Sequence, residues 1–413
     1  MYQLRGSLDV KVGLAHKRSD FIVEQARVWI FTTRCLLELL TDTTIKGFAY
    51  RPSLIVFRDL EILNGTYEIA LSYLLLALQS HPVRLVGLAS SLNDIDALSQ
   101  WLNVSEDGQF MLSPAERDQA IATTSQTFTI PYSAALMRAM AKPLYDRIQA
   151  TPIHENVLVF VPSTSQCNAI ISDLLTQCAL AMNMRGFIGE AVSQDALGLY
   201  TNQFRNRGMV DGITKGLAMW HDRMDPNDKL LALRLFMEGV VRVLIVPREV
   251  CWNIPVRAGL VIVMGTQYTT GTPSATTDPL RTSERRVVEY SLHELVRMQG
   301  RAVRYGKTGH FHIMCQSEHR DSYMRFLTGG LPLESQLIGE EDNEESPISQ
   351  AIRDWVERQI KTGNLKSKQD LLDFLTSTFL AYRLEKNPTY YDLEDDRANF
   401  LSRLVDSLWT ASD

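Results

Sequence analysis

Short apolar, β-branched runs recur along this chain between longer segments of helical period. The runs Val28–Phe31, Leu54–Phe57, Arg84–Ala89, Val157–Val161, Val241–Val246, Leu260–Met264 and His310–Cys315 read as strands. Helical spacing predicts helices over Thr66–Gln79, Ile95–Leu102, Ala134–Gln149, Gln166–Met182, Asn227–Glu238 and Ser291–Gln299. Strands that alternate with helices call for parallel sheets covered on both faces, an α/β fold.

The polar, strand-poor stretch Val104–Phe128 separates two such groups, which sets lobes at 1–128 and 129–338. Thr269–Arg286 is rich in Thr, Pro and Ser and reads as a surface excursion. Residues 339–347 hold the acidic run Gly339-Glu-Glu-Asp-Asn-Glu-Glu-Ser346, a solvated linker. Only helical patterns follow, at Ile348–Ile360, Ser367–Arg383 and Arg397–Trp409, so 348–413 is expected to be a small separate helical domain. There is no internal repeat.

Composition narrows the class. With 413 residues, the chain can hold two or three domains with substantial cores. Its 45% hydrophobic and 22% charged content are ordinary globular values. A net charge of −6 argues against an indiscriminate nucleic-acid binder, so any RNA contact must come from local basic patches. Cys35, Cys167, Cys178, Cys251 and Cys315 are scattered without a Cys-x-x-Cys pair, which points to a reducing compartment and to no zinc site. The longest apolar runs, Tyr73–Leu78 and Val157–Val161, are too short to cross a bilayer, so a soluble intracellular protein is expected.

The chemistry begins with Arg301 and Arg304, in Met298-Gln-Gly-Arg-Ala-Val-Arg304 at the end of an expected helix. Residues three apart share a helical face, so both guanidiniums could reach one anion such as a triphosphate. Scattered arginines on a surface helix give the same pattern. Upstream lie Val241-Arg-Val-Leu-Ile-Val-Pro-Arg-Glu-Val-Cys-Trp-Asn-Ile-Pro255, Gly259-Leu-Val-Ile-Val-Met-Gly-Thr-Gln-Tyr268, Val157-Leu-Val-Phe-Val-Pro-Ser163 and Arg84-Leu-Val-Gly-Leu-Ala-Ser-Ser-Leu92.

Taken in order, these segments resemble the motif series of superfamily-two RNA helicases of the superkiller-like DExH-box type. The match is closest to the carboxyl-terminal helicase cassette of the large spliceosomal U5 helicases. Leu331-Pro-Leu-Glu-Ser335 and the cluster Lys368-Gln-Asp, Tyr382-Arg and Asn387-Pro-Thr-Tyr-Tyr391 look like that family's tail and winged-helix domain. The resemblance covers nearly the whole chain. It implies two RecA-like lobes, the first incomplete, followed by a winged-helix-type helical domain.

Carried over position by position, the resemblance implies a damaged motor. The magnesium-binding acid of the second helicase motif falls on Arg58, the water-positioning acid on Asp59, and the terminal His on Glu61. The third motif, Ser-Ala-Thr in the family, becomes Ala89, Ser90 and Ser91. In the fifth motif the glycine after Trp252 is replaced by Asn253. The sixth keeps Arg301 and Arg304 as phosphate-facing positions, with Arg297 in place of a Gln and Val303 in place of a Gly. The family's His-x-x-Gly-type segment appears as Trp220-His-Asp-Arg-Met224. No Gly-x-x-x-x-Gly-Lys-[Ser/Thr] loop occurs in the sequence, which suggests a chain that begins partway through the first lobe. A cation about 4 Å from Mg²⁺ feels roughly 8 kcal/mol of repulsion at an effective dielectric near 20, an upper bound. Magnesium also needs one or two carboxylates, and Arg58 replaces one.

No catalytic residue, metal or cofactor is therefore expected, with ATP and magnesium binding lost. The implied role is a degenerate helicase cassette acting as a protein-interaction and regulatory platform in nuclear pre-mRNA splicing. The implied partners are an active helicase cassette and other spliceosomal proteins. The alternatives are a fragment of an active ATP-dependent RNA helicase and, less so, passive binding of single-stranded RNA. His310 and His312 alternate on a strand but lack a third ligand, and read as ordinary histidines. Arg281, Arg285 and Arg286 form a basic cluster on a solvated loop. Tyr382, Tyr390 and Tyr391 are expected to lock helices together. Met137, Met140, Met182 and Met184 read as core filler.

Overall fold

The computed structural model describes residues 10–17, 20, 26–41, 52–79, 83–189, 194–271, 285–339, 348–393 and 396–410. The chain forms two compact units, one of Met1–Met111 with Pro332–Asp413, the other of Leu112–Leu331.

In the first unit β1 (Val12–Ala15) pairs in parallel with β2 (Val28–Phe31), and β3 (Leu54–Phe57) with β4 (Arg84–Gly87). These pairs do not have the closed apolar faces of a full parallel sheet. Leu54 and Val56, two apart on β3, are 50% and 46% exposed. The helix Gly65–Leu78 starts where Asn64 Oδ1 accepts the Tyr67 N–H at 2.9 Å. Its residues Ile69 and Ala70 enter one core with Leu37 and with Ile352, Trp355, Leu375 and Leu404 of the carboxyl-terminal helices. Those helices, Gln350–Lys361, Lys368–Thr376, Phe379–Lys386 and Arg397–Thr410, thus share their core with the amino-terminal segment. The expected separate helical domain is corrected on this point. The single helix expected over Ser367–Arg383 is two, broken at Ser377–Thr378, where both hydroxyls turn back onto helix carbonyls. The acidic linker lies almost wholly outside the described residues.

The second unit is built on a six-stranded sheet. Its strands are β5 (Ile121–Phe128), β6 (Val157–Val161), β7 (Leu217–Met219), β8 (Val243–Pro247), β9 (Leu260–Met264) and β12 (Gly309–Gln316). Their spatial order is β5-β12-β9-β6-β8-β7, and every pairing is parallel. β6, β8 and β9 are buried at every residue, which is why each reads as an unbroken apolar run. The stretch read as strand-poor contains β5. This strand pairs along its full length with β12, so it belongs to the second lobe and not the first. Its alternate Thr, Ser and Gln residues suit a half-exposed edge. Gly309 allows close packing there, because a Cβ would lie 1.8 Å from the Ala302 carbonyl oxygen.

β10 (Gln267–Gly271) and β11 (Arg285–Glu289) pair antiparallel as a ribbon at the two ends of the expected surface excursion. Arg281 lies outside the described residues. Met137 and Met140 are buried, but Met182 and Met184 are 86% and 82% exposed. Those two are corrected: they follow the end of the helix Thr164–Leu180 and point to solvent. All five cysteines are buried and free.

Candidate functional site

In open parallel sheets, ligands bind beyond the carboxyl ends of the strands. β3 brings Arg58 to such an end, with its side chain exposed. Asp59 follows in the left-handed region, φ 59°, and starts a tight 3-10 turn over Leu60–Ile62. The turn is held by Leu60 N–H donating to the Leu88 carbonyl, and Leu88 N–H to that of Phe57. Tyr67 OH donates to the Arg58 carbonyl at 2.9 Å, and burial pushes that phenol up to about 12.

Glu61 is buried at 2% exposure, and both its oxygens are turned to Ser90. Oε2 accepts the Ser90 N–H at 3.1 Å and Oε1 accepts the Ser90 hydroxyl at 2.8 Å. The segments expected as the second and third helicase motifs are therefore joined through the Glu61 carboxylate. Ala89 is exposed and Ser91 half-buried beside that link.

In the second unit, the 3-10 turn Arg248–Trp252 leaves the carboxyl end of β8. Trp252 is 45% exposed, and the Arg297 guanidinium lies 5.4 Å from its ring centroid. Asn253 Nδ2 donates to Asp222 at 3.3 Å. Asp222 also pairs with Lys229, whose hydrogen bond holds its carboxyl below the usual range. Arg248 is buried deeper. It pairs with Glu294, lies 3.6 Å from the Tyr268 ring centroid, and fastens the ribbon base to the helix Leu292–Gln299.

Arg301 and Arg304 do not share a helical face. The helix ends at Gln299, a 3-10 turn covers Gly300–Ala302, and Val303 is already extended. Arg301 Nη2 donates to the Cys251 carbonyl at 2.9 Å, beyond the carboxyl end of β8, and burial lowers its pKa. Arg304 pairs with Glu155, two residues before β6 begins. A Cβ on Gly259, just before β9, would collide with that same pair. Arg304 therefore works at the amino ends of the strands, the end away from ligand sites. Glu155 was not foreseen, and no local pattern announces it.

A cavity of about 250 Å³ is lined by Arg205, Asn206, His221, Arg223, Met224, Asp225 and Asp228. It contains the end of the Trp220–Met224 segment. Asp228 is buried and accepts the backbone N–H groups of Arg205 at 2.9 Å and Asn206 at 3.0 Å, so it serves the loop. His312 is buried against Thr124 at 2.8 Å, and burial pushes its imidazole down to about 4, whereas His310 is exposed. Among the described residues, no group of three or more His, Cys, Asp and Glu is arranged to hold a metal, and no helix is long and apolar enough to cross a membrane. Tyr391 is buried and donates to Glu334 at 3.0 Å, while Tyr390 packs edge-on against it with ring centroids 4.9 Å apart.

The fold is α/β, with a parallel six-stranded sheet in one unit and a carboxyl-terminal run of helices in the other. A family described as the Winged Helix-turn-helix domain, of the SNRNP200 kind, matches residues 345–412. The chain is similar to the U5 small nuclear ribonucleoprotein 200 kDa helicases. It is 30% identical to the human one over 315 residues, 76% of this chain and 14% of that protein. It is 28% identical to the Schizosaccharomyces pombe pre-mRNA-splicing factor brr2 over 84% of this chain and 15% of that one. With the Arabidopsis thaliana DExH-box ATP-dependent RNA helicase DExH12 the identity is 26%, over 88% of this chain and 16% of that one. The chain thus spans about a seventh of the length of these relatives. The Escherichia coli DExH-box NTPase HrpB aligns at TM-score 0.48 and 14% identity, over 88% of this chain and 41% of that one, too weak a likeness to argue from.

Proposed function

We propose that the chain is a helicase-type cassette that has kept its fold and lost its motor, and that it acts as a protein-docking and regulatory platform in pre-mRNA splicing. The carrying observation is Arg58, an exposed cation at the carboxyl end of β3, at the position where the resemblance to DExH-box helicases implies a magnesium-binding acid. The residues present do not fit a magnesium triphosphate. Arg58 would repel the metal, Glu61 is spent on Ser90, and Arg304 is spent on Glu155. The buried link between Glu61 and Ser90 supports a frame that folds as a scaffold.

By relation to the U5 helicases, its setting is the nucleus. Its partners are an active helicase cassette and other splicing proteins, with RNA contact at most weak. Equilibrium binding of ATP tests the loss of the motor: magnesium should not strengthen it, and tight magnesium-dependent binding would contradict the reading. Affinity purification from nuclear extract tests the setting. Small nuclear ribonucleoprotein proteins should be recovered, and their absence would sink it.

A further inference from the structure

Among the described residues of the second unit, a group of exposed apolar side chains lies at the end of the helix Thr164–Leu180. Leu180, Met182 and Met184 are 73%, 86% and 82% exposed within five residues of chain. Apolar side chains this bare stand proud of the surface, and three together mark an interaction site. The turn that carries them is firmly built. Asn183 N–H donates to the Cys178 carbonyl at 2.8 Å, and its side chain donates to Tyr145 OH at 3.3 Å and to the Gly186 carbonyl at 3.1 Å. Lys215 Nζ caps the Met184 carbonyl. Met182 itself is held at φ 50°, a left-handed conformation that a methionine rarely adopts.

The chemistry of the turn selects among occupants. Convex knobs need a concave receiver, and methionine adapts its shape to an apolar groove. Leu180-Ala-Met-Asn-Met-Arg-Gly186 contains no aromatic side chain on which a base could stack. Arg185 is exposed beside the knobs and Lys215 lies under them, so the receiver's rim should be acidic. A second copy meeting this one turn to turn is a poor receiver, because that contact would set these cations against their own equivalents.

We infer that the Leu180–Met184 turn is a docking knob for a protein partner presenting an apolar groove edged with carboxylates. This rests on the reading of the chain as a docking platform. It is tested by photo-methionine incorporated into the full chain, crosslinked in nuclear extract and mapped by mass spectrometry. Positions 182 and 184 should crosslink to an apolar segment of one protein. A carbodiimide should join Lys215 to a carboxylate of the same protein. Peroxide should oxidise Met182 and Met184 at least tenfold more slowly in the assembly than in the purified chain. The triple variant Leu180→Ser, Met182→Ser, Met184→Ser should keep its circular dichroism and lose that partner at least tenfold.

Crosslinks to RNA, lipid or a second copy, equal oxidation in both states, or a triple variant that still captures the same protein would each overturn the inference. If the chain recovers splicing proteins without crosslinks from 182 and 184, only the knob is wrong. If it recovers none, the platform reading fails too.

Discussion

Glu68 accepts a 2.7 Å hydrogen bond from the hydroxyl of Ser335, 267 residues further along the chain, and its other oxygen accepts the Leu380 N–H at 2.8 Å. The carboxyl is fully buried on the helix Gly65–Leu78, so one side chain ties the amino-terminal segment to the winged-helix region. Burial raises its pKa to about 7, against the two hydrogen bonds that lower it.

A pH dependence follows from that burial. The folded carboxyl holds its proton more tightly than the unfolded one, which titrates near 4.5. Its contribution to stability is therefore complete below about pH 4.5 and is lost as pH rises through about 7. A shift of this size is worth about 3 kcal/mol. The difference in unfolding free energy between the wild type and Glu68→Gln should change with pH over that interval and be flat above pH 8. Denaturant melts at stepped pH check this, and a constant difference would contradict it.

Glu334 organises the same region. Arg383 grips both its oxygens, and Asn387 and Tyr391 donate to it at 2.8 and 3.0 Å. Removing the buried Arg383 strands the charge of the half-buried Glu334, so Arg383→Ala should cost about 3 kcal/mol in denaturant unfolding. A loss under 1 kcal/mol, the scale of an exposed pair, would contradict a buried network.

How much of this was legible depended on the range of each interaction. β6 and β9 were read to the residue because strands buried on both faces leave unbroken apolar runs. The helix Ala134–Gln149 was read to the residue from its period. β5 was missed because Ile121-Ala-Thr-Thr-Ser-Gln-Thr-Phe128 is an edge strand with little apolar contrast. β7, with three residues, is too short to show a period. The core shared by Ile69 and Trp355 joins distant segments, and no local pattern encodes such a pairing. The spacing of Arg301 and Arg304 suggests one shared helical face, but the end of the helix at Gln299 sends Arg304 to Glu155.

That pair should be structural. Burial pushes the Glu155 carboxyl up, but the hydrogen bond and charge of Arg304 outweigh it and hold the pKa below the usual range. The stability this adds is present above about pH 4.5 and is lost as pH falls through the lowered value. Arg304→Ala should destabilise the protein by about 1.5–3 kcal/mol at pH 7, an effect that shrinks in acid. It should leave nucleotide affinity unchanged. A variant of unaltered stability and altered nucleotide binding would return Arg304 to a phosphate.

Strain at Met182 has a consequence of its own. A left-handed methionine costs roughly 1–2 kcal/mol that glycine avoids. Met182→Gly should therefore raise the unfolding free energy by about 1 kcal/mol, net of the extra entropy glycine loses on folding. Thermal unfolding measures it, and a destabilised variant would mean that the side chain makes contacts its exposure denies.

The loss of the motor is tested most directly by ATP turnover of the purified chain with magnesium and single-stranded RNA. Hydrolysis should not rise above the protein-free blank, and Arg301→Ala should leave that baseline unchanged. RNA-stimulated turnover that disappears in Arg301→Ala would show a working engine behind Arg58.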